Sequence, residues 1–188
     1  GTPQMNFFRD SRLVSDGKKV YISIIGGNKI LLPKSVVARI KNLEEFLDTD
    51  KPVVLGVRPE DIHQDQMFIS GSPETTLKAR IDVIEKLGAE TQIYCELDYE
   101  AKESSVIDNS TQMIAKISSR AVVALNDVIE LAFDAHHIHL FDGETEASIL
   151  ERDAGYEVIE ENAEGSAFVP PTPQEMRAKI DAARIVTK

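Results

Sequence analysis

Tryptophan is absent from this 188-residue chain, and aromatic residues make up only 6% of it. That leaves little with which to build a base-stacking platform for single-stranded nucleic acid. Positive charge is also short: 21 Lys and Arg stand against 32 Asp and Glu, for a formal net charge of −11. Neutralising phosphates needs clustered basic side chains, so nucleic acid is not an expected partner. The single cysteine, Cys95, excludes an intrachain disulfide and makes a reducing, cytoplasmic location the expectation. No apolar run approaches the roughly 20 residues that a membrane-spanning helix needs. The opening Gly1-Thr2-Pro3-Gln4-Met5 has neither the basic nor the apolar region of a signal peptide. A start on Gly rather than Met leads us to expect a fragment or a processed form.

Equipment for nucleotide hydrolysis is missing too. A phosphate-binding loop needs a glycine-rich run ahead of a Lys and a magnesium-holding Ser or Thr. Gly17-Lys18 is the sole Gly-Lys pair; Arg12 stands at the first glycine position and Lys19 replaces the hydroxyl. Val122-Val123-Ala124-Leu125-Asn126-Asp127 has the apolar run of a Walker B strand, but Asn126 occupies the metal-ligand position, and no Leu-Ser-Gly-Gly-Gln segment occurs. Neither catalytic nor cofactor-binding residues are therefore expected, and the chain should not be an enzyme.

Hydrophobic residues make up 42% of the chain, enough for a real core. Their spacing is mostly that of short strands: Val20–Ile24, Lys29–Leu32 after Gly26-Gly27-Asn28, Val53–Val57, Thr76–Leu87, Thr91–Leu97, Gln112–Ile117, Val128–Phe133 and His139–Phe141. Over Thr76–Leu87, Leu77, Ala79, Ile81 and Val83 alternate with Lys78, Arg80 and Asp82, one face buried and one wet. Turn residues about every ten positions favour a barrel or sandwich. Between strands, Val36, Val37, Ile40, Leu43 and Leu47 recur at helical spacing behind Pro33, which predicts one amphipathic helix over 33–47. The domain is expected to span 1–145, followed by an acidic linker over 146–172 and a helix over 173–188, capped by Thr172, Pro173 and Glu175.

Few residues invite chemistry. His136, His137 and His139 are close enough to converge on zinc, but in a strand His136 points away from the other two. They read as a turn and a strand start, with no metal site. Cys95 falls on the apolar face of its strand and reads as an inert core thiol. Arg58-Pro59-Glu60-Asp61 reads as a strand-ending corner, since Pro59 fixes φ and drives Arg58 to extended geometry. Ser118-Ser119-Arg120 offers hydroxyl and guanidinium donors suited to an oxyanion, although a polar strand end is the plainer reading.

Four segments in order carry a family resemblance: Gly1-Thr2-Pro3-Gln4-Met5-Asn6-Phe7, Leu55-Gly56-Val57-Arg58-Pro59-Glu60-Asp61, Val83-Ile84-Glu85-Lys86-Leu87-Gly88-Ala89-Glu90-Thr91, and His139-Leu140-Phe141-Asp142. Together they resemble the C-terminal regulatory part of maltose-type and multiple-sugar-type ABC importer ATP-binding subunits. The resemblance implies a mainly β fold of interleaved OB-like (TOBE) lobes. It also implies a non-catalytic regulatory and dimerisation role, with Mg-ATP bound in a nucleotide-binding domain that this chain lacks. Arg58, Glu60, Glu85, Gly88, Glu90 and Phe141 become candidate regulatory or interface residues on this basis, although Arg58 and Gly88 also suit structural turns and Phe141 also suits core packing. The implied partners are a second copy of the chain, membrane permease subunits reached through the parent protein, and a regulatory protein. The implied location is the cytoplasmic face of the cell membrane, without insertion. An alternative is an OB module that binds a small oxyanion or other small ligand, similar to the domains of molybdate systems.

Overall fold

In the computed structural model of the chain, residues 4–101 and 112–152 are described. The chain divides into two compact units, Gly1–Glu151 and Arg152–Lys188. All but the first residue of the second unit lies outside the described residues, and so does the helix expected over 173–188.

The first unit is built of β1 (Asn6–Asp16), β2 (Lys19–Ile24), β3 (Asn28–Leu31), β4 (Val53–Val57), β5 (Ile62–His63), β6 (Thr76–Lys86), β7 (Glu90–Glu96), β8 (Gln112–Ser118), β9 (Val128–Phe133) and β10 (His139–Asp142). They form two five-stranded sheets, ordered β10-β4-β1-β2-β3 and β5-β9-β6-β7-β8. Every pairing is antiparallel. The strands interleave along the chain, because β10 returns to the first sheet after five strands of the second. In the second sheet β5 also lies against β8, which brings that sheet close to a closed barrel.

One hydrophobic cluster serves both sheets: Leu13, Ile22 and Ile30 from the first meet Ile81, Ile93 and Leu131 from the second, all fully buried. The rings of Phe8 and Phe133 meet across it at 6.0 Å. Burying side chains of this size contributes about 1.5–3 kcal/mol each.

Two sequence expectations need correction. The helix expected over 33–47 is two single turns, α1 (Lys34–Val37) and α2 (Leu43–Phe46). Asn42 adopts a left-handed conformation, φ 51°, which a continuous right-handed helix cannot contain. Ile40 instead bridges to Leu150. The second correction is at Val83, expected on the buried face but 38% exposed. A register shift between Ile81 and Val83 reverses the alternation, as a bulge does. It turns Asp82 inward, where its carboxylate accepts a 2.8 Å hydrogen bond from Arg80 Nε.

A third helix, α3 (Gln66–Gly71), gave no sequence signal; Asp65 caps it by accepting from the Met67 backbone N–H. Residues 147–150 belong to the compact unit. They hydrogen-bond along β10, Ala147 accepting from Asp142 and Ile149 donating to Leu140, and they meet the segment between α1 and α2, where Lys41 donates to Ile149.

Candidate functional site

Alternation along β1 buries Phe8 and leaves Phe7, on the opposite face, 43% exposed. Across the sheet Phe7 pairs in register with Gly56 of β4, and Gly56 with His139 of β10. Glycine opens the middle of this row. A Cβ on Gly56 would come within 2.6 Å of Met5 Sδ and 3.4 Å of both His139 Cβ and Phe141 Cε2. The aromatic rings gather over that gap: Phe7 and Phe141 lie 6.2 Å apart, and His139 and Phe141 lie 6.4 Å apart and nearly parallel.

Charge borders the aromatic patch. The Arg9 guanidinium sits over the Phe7 ring, 5.5 Å from its centroid, and reaches Glu146 Oε1 at 3.6 Å. Phe7, Arg9, Val54, Phe141 and Glu146 line a shallow depression of about 210 Å³. At one side, Arg58 Nη1 lies 3.4 Å from His139 Nε2. A guanidinium can only donate, so this contact requires Nε2 to accept from it, which a neutral imidazole with its proton on Nδ1 can do. Burial, and then the Arg58 charge, push the His139 pKa below its ordinary value.

The six residues picked from the sequence fall into two groups. Arg58, Glu60 and Phe141 stand around β4 and β10. Glu85, Gly88 and Glu90 belong to the hairpin joining β6 to β7, where Glu85 pairs with Gln92 and Glu90 with Ser118. Gly88 takes φ 86° at the turn, and Lys116 Nζ lies 3.3 Å from Glu90 Oε2. Phe141 is partly exposed, so the patch rather than the core claims its ring. Phe7, Arg9 and Glu146 were not picked out from the sequence. The signal for Phe7 was its place next to a core-facing Phe8.

Other candidates resolve simply. Cys95 is fully buried, and burial pushes its thiol up to about 12. Ser118, Ser119 and Arg120 form an exposed turn in which Ser118 Oγ accepts from the Arg120 backbone N–H. His136 and His137 lie in the turn after β9, and His139 opens β10. None of the helices in the described residues is long and apolar enough to cross a membrane.

Comparison with known proteins agrees with this architecture. Residues 1–62 match the family model described as MalK OB fold domain, and residues 55–141 match the TOBE domain. The oligosaccharides import ATP-binding protein MsmX of Bacillus subtilis is 33% identical over 149 residues, which cover 79% of this chain and 35% of that protein. The multiple sugar-binding transport ATP-binding protein MsmK of Streptococcus mutans is 30% identical over 154 residues, 79% of this chain and 34% of that protein. The chain thus spans about a third of the length of the curated relatives it matches. A solved structure of the molybdate-bound protein ModG covers 74% of this chain at 16% identity and a TM-score of 0.47, a likeness too slight to bear on what this chain binds. The two ordered family matches, laid over two interleaved β-sheets, show that the chain belongs to the MalK-type OB fold and TOBE domain family, the C-terminal region of sugar ABC importer ATP-binding proteins.

Proposed function

We propose that this chain is a non-catalytic regulatory and dimerisation module, and that its parent protein couples ATP hydrolysis to carbohydrate uptake at the cytoplasmic face of the membrane. The observation that carries the self-association half is the patch of Phe7 and Phe141 over Gly56. Aromatic side chains are favoured anchors of protein interfaces. The patch is also self-complementary in charge. Arg9 and Glu146 lie together at its rim, so a two-fold axis passing beside this ion pair would set Arg9 of one copy toward Glu146 of the other. Permease subunits and a regulatory protein are further partners, reached through the parent protein or through surfaces such as the β6–β7 hairpin.

Light scattering across a concentration series tests the self-association, with a shift toward twice the monomer mass expected on concentration. Calorimetric titration with Mg-ATP tests the non-catalytic half. No binding heat is expected, and clear micromolar binding overturns that half. A thermal-shift screen with molybdate, sulfate and sugars tests the small-ligand alternative; saturable stabilisation by one of them would favour it.

A further inference from the structure

Two carboxylates and an imidazole converge where the two sheets exchange strands. Asp61 ends the 3-10 turn Pro59–Asp61 that leads from β4 into β5. Asp134 and His137 belong to the turn between β9 and β10. Backbone pairing fixes the approach, because Asp134 N–H donates to Asp61 C=O at 2.9 Å next to the Ile62–Phe133 pair. Donor atoms of Asp61, Asp134 and His137 all lie within 4.8 Å of one another.

We propose that Asp61, Asp134 and His137 bind a borderline divalent cation of the Zn²⁺ type, which clips the turn after β4 to the turn after β9. Oxygen and imidazole nitrogen donors in this mixture suit such an ion better than Ca²⁺ or Mg²⁺, which prefer oxygen alone. Zinc bonds of about 2.0–2.2 Å place neighbouring donors roughly 3–3.5 Å apart. Side-chain rotation closes the remaining gap, since His137 is 67% exposed and Asp134 carries its carboxylate on the same short turn.

Among the described residues no hydrogen bond reaches the Asp61 carboxylate; burial raises its pKa, against His137, which lowers it, with smaller upward contributions from Glu60 and Asp134. His137 Nδ1 lies 2.7 Å from Asp134 Oδ2, and this contact raises the imidazole pKa. Arg58 is the lesser opposing charge, and its guanidinium is turned to His139. Three protein donors leave at least one position for water, the arrangement of an open zinc site.

The test uses the full chain without a histidine tag, stripped with chelator and titrated calorimetrically with Zn²⁺ near about pH 7.5, above the ordinary imidazole range. One saturable site is expected, together with a raised melting temperature and weaker binding on acidification. Asp61→Asn and His137→Gln should each weaken binding by more than about ten-fold, while His136→Ala leaves it intact. Circular dichroism of the metal-free variants separates lost binding from lost folding; if Asp61→Asn unfolds the chain, His137→Gln, on an exposed side chain, carries the test. The proposal is overturned by an absence of saturable binding below ~1 mM, the weak end of biological cation sites. It is equally overturned by binding that survives Asp61→Asn and His137→Gln in folded protein, or that disappears with His136→Ala.

Discussion

The side-chain amide of Asn6 pairs with both backbone groups of Ile114, 108 residues away in sequence: its Oδ1 accepts from Ile114 N–H at 2.8 Å and its Nδ2 donates to Ile114 C=O at 2.8 Å. The same Nδ2 reaches Val57 C=O at 3.1 Å. A side chain of β1 thus completes the hydrogen bonding of β8 and joins the two sheets. Asn6→Ala leaves these groups unpaired at a buried position, and an unsatisfied group costs about 1–3 kcal/mol. The midpoint of urea unfolding should fall by an amount corresponding to about 3 kcal/mol, with the slope unchanged. Asn6→Asp should be no better, because it retains an acceptor but turns a carboxylate toward two carbonyl oxygens.

Two glycines separate crowding from conformation. A Cβ on Gly143 would stand 2.6 Å from the backbone oxygen of Pro52, while one on Gly88 meets nothing within 4 Å. Gly88→Ala meets mainly the left-handed backbone penalty of about 1–2 kcal/mol. Gly143→Ala must displace main chain, which costs about 1–3 kcal/mol or more. Thermal unfolding should show the greater loss for Gly143→Ala.

Cys95 should report on unfolding. Its thiol is buried and pushed up to about 12, and only the thiolate reacts readily with alkylating agents or disulfide reagents. Native protein should resist labelling at neutral pH, and the rate should rise with denaturant in step with loss of structure. Fast labelling in water would contradict the buried position.

Two histidines pull the pH dependence in opposite directions. His139 has a folded pKa below its ordinary 6.5, so the unfolded chain takes up a proton first. Its contribution to stability is full above 6.5 and is lost as pH falls toward the folded value. His137 has a folded pKa above 6.5; its contribution is full below 6.5 and is lost as pH rises through the folded value. His137 is mostly exposed, so its effect is the smaller after screening. Denaturant midpoints measured in chelator should show His139→Gln flattening the loss of stability on the acid side, with His137→Gln having a weaker, opposite effect.

The sequence made much of this fold legible, because the apolar-rich runs of β6, β7 and β8 have strand length and face one shared core. The motif around Gly56 pointed to the family and to Arg58 and Glu60, and the closing segment His139–Asp142 to Phe141, but neither pointed to Phe7, whose exposure depends on which face of β1 the second sheet covers. The split between α1 and α2 escaped the helical period, since a single left-handed Asn42 leaves the apolar spacing intact. Local patterning also could not reveal the bulge at Asp82 or the meeting of Asp61 with Asp134. Both depend on strand register between segments far apart in the chain.

Sedimentation velocity over a wide concentration range, comparing the chain with its Phe7→Ser, Phe141→Ser and Glu85→Ala variants, tests the proposed role of the aromatic patch most directly. The unaltered chain should show a monomer–dimer equilibrium. Phe7→Ser and Phe141→Ser should each raise the dissociation constant by roughly thirty-fold, the effect of losing an interface anchor that contributes about 2 kcal/mol, while retaining the native circular dichroism spectrum. Glu85→Ala should leave the equilibrium unchanged. A strict monomer at every concentration, or a dimer indifferent to both phenylalanines, would contradict the role proposed for Phe7 and Phe141.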